Sequence, residues 1–76
     1  MSLTHDQIQD IMGDVQDEFD SVSESKRRSI TQSEESFVEW LRKKIKRAAK
    51  ALGHAISLPV RIISDIIRSF LDGMFG

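Results

Sequence analysis

Apolar residues recur along this chain at spacings of three and four in three successive stretches, and that period predicts amphipathic helices. Ile8, Ile11, Met12, Val15, Phe19 and Val22 share an arc of about 100° on a helical wheel. The other positions of this stretch are nearly all Asp, Glu, Gln and Ser, so the first helix buries one narrow seam. Phe37, Trp40, Leu41, Ile45, Ala48, Ala49 and Leu52 mark a second stripe, opposite a basic face of Arg42, Lys43, Lys46, Arg47 and Lys50. Val60, Ile63, Ile66, Ile67, Phe70, Leu71 and Met74 make a third and broader face, widened by Ile62 and Phe75. The expected fold is all-α: a hairpin of an acidic N-terminal helix and a longer C-terminal helix, kinked or broken around Gly53 to Pro59, giving three helical segments completed by oligomerisation.

Local chemistry sets the boundaries. Thr4 and Gln7 have the spacing of a capping box, and Asp6 in the first turn complements the helix dipole. A first helix over about 4–25 follows, with a serine-rich turn over about 25–33. Ile30 stays on the first stripe, so the helix is free to run on to Arg28, where Lys26 to Arg28 would complement the C-terminal end of its dipole. The second helix, about 34–53, starts from Thr31 or Ser33, with Thr31 and Glu34 at capping-box spacing. Gly53 suits a C-cap and Pro59 the first turn of a further helix over about 59–74, with a joint over 53–58. Because Ala55 and Ile56 remain in phase with the second stripe, one long helix hinged at Gly53 and Pro59 fits the pattern as well as two helices do.

Charge changes the picture more than composition does. The formal net charge of −1 conceals nine acids against three bases in residues 1–35 and three acids against eight bases in residues 36–76. Such a split marks either a basic surface for a polyanion or two helices that neutralise each other. Lys44 lies between Trp40 and Ala48 on the apolar side, which predicts a stripe-edge residue in cation–π contact with the indole. Arg61, Asp65, Arg68 and Asp72 are spaced four, three and four apart along a neutral ridge, each placed to pair with the next. The same charges interrupt the C-terminal apolar stretch and disfavour a membrane-spanning helix. The acidic first ten residues lack the basic and apolar regions of a leader peptide, so the expectation is a cytoplasmic protein, with membrane association as the variant.

With 76 residues, 39% hydrophobic and 30% charged, four Gly and one Pro, the chain has the composition of one small helical domain. A lone domain of this size buries only about 60% of its unfolded surface. There is no cysteine, which excludes disulfides and thiolate metal sites.

Candidate chemistry is sparse. His5 and His54 have no acid–base or metal-ligating partner at a telling spacing, no nucleophile motif surrounds the serines, and the acids of the first helix lack the alternate-residue loop of a calcium site. The expectation is a non-enzymatic protein with no cofactor. Lys26-Arg27-Arg28-Ser29 matches a basophilic kinase pattern, but four such residues occur often by chance.

Partners follow from surplus apolar surface. Burying Ile62, Ile63, Ile66, Ile67, Phe70 and Met74 is worth on the order of 10 kcal/mol, so the first expectation is a self-assembly or protein-interaction module whose C-terminal face, with Leu71, meets a second copy or another helical protein. Residues 36–75, a cationic amphipathic stretch with one tryptophan and then a more apolar one beyond a Gly/Pro joint, are similar in layout to cecropin-like membrane-active peptides. That resemblance implies contact with an anionic membrane surface as the alternative. Nucleic-acid binding through the basic face of 42–50 ranks third, because the chain as a whole is net acidic.

Overall fold

A computed structural model describes residues 3–53 and 58–75. Four helices occupy them: α1 (His5–Ser21), α2 (Glu24–Ile30), α3 (Glu34–Ala51) and α4 (Val60–Met74). The all-helical class is as the period predicts. The number of helices is not, because the expected serine-rich turn is largely a helix of its own.

Side chains explain the break. The Thr4 hydroxyl accepts from the Gln7 N–H at 3.2 Å while the Gln7 side chain accepts from the Thr4 N–H at 2.8 Å, so α1 starts on the expected capping box. It stops at Ser21, short of about residue 25, because Val22 and Ser23 turn extended and the Ser23 hydroxyl accepts from the Lys26 N–H to cap α2. Serine is a weak helix former that competes well for such caps, and here the cap wins over continuation. Ser33, not Thr31, caps α3 by accepting from the Ser36 N–H at 3.1 Å. Thr31 instead ends α2, its hydroxyl donating to the Arg27 carbonyl.

Gly53 adopts φ +78°, the left-handed conformation that closes many helices and that glycine takes without a Cβ penalty. Pro59 precedes the first turn of α4 in extended backbone. The joint at 54–57, including His54, Ala55 and Ile56, lies outside the described residues. On either side of it the chain runs as two helices, not as one kinked rod. The C-terminal part of α4 returns to the start of α3, where the Phe37 and Phe75 rings lie 5.8 Å apart.

α3 is the central helix of the bundle. It turns Phe37, Leu41, Ile45, Ala48 and Ala49 inward, and α1, α2 and α4 pack on that side with Ile11, Val15, Phe19, Ile30, Ile63, Ile66 and Ile67. At one end Phe19 meets Phe37 and Trp40 edge-on at 5.7 and 5.6 Å, and Phe37 lies nearly parallel to Trp40 at 6.4 Å. One aromatic group thus ties α1 to α3, a packing worth about 0.5–1.5 kcal/mol per ring pair beyond the area buried. Among the described residues no buried polar or charged residue interrupts this core.

Candidate interaction surface

The three long helices leave a groove between each pair, and a further one lies where Lys46 and Lys50 border Leu58 and Ile63; their chemistry differs. Between α1 and α3, Asp14, Asp17 and Glu18 face Arg47 across the small side chains Ala48 and Ala51. Glu18 reaches Lys44 at 3.7 Å, and the same ammonium sits 5.7 Å from the Trp40 ring centre, which realises the predicted cation–π contact. Between α3 and α4, Glu34, Arg42, Arg68 and Asp72 border Val38, Leu71 and Phe75. Both grooves are walled by charges of each sign.

The third groove, between α1 and α4, is different. Ile8, Met12 and Gln16 form one wall and Ile62, Ser69, Phe70, Gly73 and Met74 the other, over a floor that includes buried Ile66. Asp65 is the one charged residue lining it. The reason lies in the wheel of α1: most of its acids lie on the α3 side and outward, and the flank turned to α4 carries Gln16, whose amide donates to the Asp20 carboxylate at 3.0 Å. Ile8, Met12, Ile62 and Phe70 are each only half-buried, and Met74 is 48% exposed. A trough of half-covered apolar groups with little charge is the composition found at the centre of protein interfaces.

The structure divides the residues singled out on the C-terminal helix. Ile63, Ile66 and Ile67 lie in the chain's own core against α1 and α3, so a second chain is not what covers them. The sequence expectation is corrected there: the hairpin leaves room for α4 to share the inner side of α3 with α1. Ile62, Phe70 and Leu71 remain half-buried, and Met74, Phe75 (43% exposed) and Val60 (78%) stand furthest out.

The basic face is intact. Arg42, Lys43, Lys46, Arg47 and Lys50 are all exposed, and among the described residues none comes within ion-pair distance of an acid. Among the described residues, one ion pair, Glu18–Lys44, joins the acidic half to the basic half between α1 and α3. This ridge crowns the outer side of α3, while the α1–α4 trough opens on the opposite side of the bundle. The hinge residues Gly53 and Pro59 serve as helix ends and line none of these grooves.

Arg28 and Glu24 approach to 3.9 Å on the surface of α2. The ridge of Arg61, Asp65, Arg68 and Asp72 forms no ion pair among the described residues, although its spacing allows one at every step.

Arg27 is the residue that helical spacing does not reveal. Its guanidinium donates to the Phe19 and Asp20 carbonyls, both at 3.3 Å, and lies 5.0 Å from the Phe19 ring centre. It caps the C-terminal end of α1 from a different helix, a role set by the fold-back at Val22–Ser23. Among the described residues there is no group of three or more His, Cys, Asp or Glu side chains arranged to hold a metal. No described helix is long and apolar enough to cross a membrane. No protein-family model, curated protein or solved structure matches the chain.

Proposed function

We propose that this chain is a non-catalytic helical interaction module whose α1–α4 side docks another protein chain. One observation carries the reading: the fold covers most of its apolar surface but leaves the trough of Ile8, Met12, Ile62, Phe70 and Met74 half-open on its least charged side. Half-buried aliphatic and aromatic groups yield about 25 cal/mol per Å² on being covered, without the desolvation cost that charges on the other two sides impose. The test is a photo-crosslinking amino acid placed at Gln16 on the trough rim, with Lys43 on the opposite side as the control. A discrete adduct at Gln16 that is absent at Lys43 is the expected result. No adduct at Gln16, or the same adducts from both positions, removes the reading.

The exposed, unpaired cations of α3 favour a second reading, contact with an anionic membrane surface. Geometry weighs against it. The cationic ridge and the apolar trough point in opposite directions, so the closed bundle lays only one of them on a lipid surface. Equal sedimentation with anionic and neutral vesicles would exclude this reading. The same ridge meets nucleic acid only as a line of point charges, and a gel shift at low salt tests that third possibility.

A further inference from the structure

The ridge of α4 carries more information than its neutral sum. Arg61, Asp65, Arg68 and Asp72 are all exposed, unpaired among the described residues, and confined to an arc of about 60° on the outer side of the helix. Their order is plus, minus, plus, minus, and their positions are symmetric about the midpoint between Ile66 and Ile67. Reading the helix backwards exchanges Arg61 with Asp72 and Asp65 with Arg68. When α4 is laid antiparallel on itself about that midpoint, each charge therefore meets its opposite. The helix spans Val60–Met74, so the register that matches the charges also overlaps nearly its whole length.

We propose that a second copy docks along the outer face of α4, overlapping the rim of the α1–α4 trough at Ile62, Ser69 and Gly73, held by a two-fold antiparallel pairing of α4 with α4 in which Arg61 meets Asp72 and Asp65 meets Arg68 of the second copy. This rests on the interaction reading above and adds its occupant and register. A two-fold interface requires a patch that complements itself, and the charge order of α4 meets that requirement. Beside the ridge, towards the trough, lie Ile62, Ser69 and Gly73. A Cβ built on Gly73 meets nothing within 4 Å. Ser69 and Gly73 let a second helix come close, and Ile62 of each copy is then covered between the two charged pairs. The neighbouring flank of α1 brings Gln16 to the contact, its side-chain amide donating to the Asp20 carboxylate at 3.0 Å.

Residues 61 and 72 are about 16 Å apart along one helix and cannot pair within a copy. That makes charge reversal decisive. The unaltered chain is expected to dimerise in sedimentation velocity over a concentration series. Arg61→Asp and Asp72→Arg, each placing like charges opposite one another twice per dimer, are expected to weaken it by about tenfold. Mixing the two variants restores the dimer, since one copy then carries two cations and the other two anions, and the double variant R61D/D72R restores it alone. Circular dichroism of each variant checks that these exposed positions leave the fold intact. A chain that stays monomeric overturns the second-copy proposal, as does a dimer indifferent to the reversals or one not recovered by mixing. A monomeric chain that still gives an adduct to a different protein at Gln16 sinks this inference while leaving the interaction reading standing.

Discussion

Arg27 shows how one side chain joins levels of structure. A helix leaves its last carbonyls unsatisfied, and α1 has no basic residue in its last turn to meet them. The chain breaks at Ser23 and returns a guanidinium to that end from α2, over the face of Phe19. Replacing Arg27 by Met keeps the aliphatic stem and removes both the donors and the cation. A loss of about 1–2 kcal/mol is expected in urea-induced unfolding, with Arg27→Lys falling between the two. Phe37 is the larger case, because it meets Phe19 on α1, Trp40 on its own helix and Phe75 just beyond α4. Truncation to Ala should cost about 3–5 kcal/mol, most of the stability of a marginal small domain. Trp40, the chain's one tryptophan, reports it directly through its fluorescence.

The glycines separate local propensity from local conformation at the scale of the elements. Gly13 lies inside α1 and Gly53 beyond the end of α3, and a Cβ built on either meets nothing within 4 Å. Space alone predicts the same outcome for both. Backbone predicts opposite ones: Gly13→Ala gains about 1 kcal/mol of helix propensity, whereas Gly53→Ala loses about 1 kcal/mol because φ +78° is strained for any residue with a Cβ. Paired thermal melts, one shifted up and one down, are the check. The cap of α1 belongs to the same scale. Thr4→Ala removes the hydroxyl that accepts from the Gln7 N–H, and a loss of about 1 kcal/mol is expected. Ser33→Ala should cost a similar amount at α3, while Thr31→Ala leaves the α3 cap in place, contrary to the spacing rule that made Thr31 a candidate.

Across the whole molecule, the arrangement of helices decides which surfaces exist. With α1 and α4 both on the inner side of α3, the cationic ridge and the apolar trough face apart. Any contact of the closed bundle with a polyanion would therefore lie on a different side from a contact with an apolar partner. Lys43→Glu with Lys46→Glu is expected to leave dimerisation within about twofold while abolishing any binding to anionic vesicles, whereas Met12→Asp does the reverse by charging the trough. Sedimentation of the protein alone and with vesicles separates the two effects.

Much of this architecture was legible in the chain. The capping box at Thr4, the stripe of α1, the two faces of α3 and the place of Lys44 against Trp40 all follow from spacing, because each depends on residues within one or two turns of a single helix. The break at Ser23 was not legible. Ile30 holds the phase of the first stripe, and only the fold-back that brings Arg27 onto α1 distinguishes a second helix from a continuation.

Sequence alone determined that the chain is helical, where its apolar stripes lie and how its charges divide. Tertiary structure decided what covers those stripes and which charges find partners. It took Ile63, Ile66 and Ile67 into the chain's own core, left Ile62, Phe70 and Met74 along an open trough, and left the ridge of α4 without an ion pair among the described residues. The physical reason is one of range. Helical periodicity and caps are local, so their record lies in neighbouring residues, whereas burial and ion pairing are set by which helices meet across the bundle.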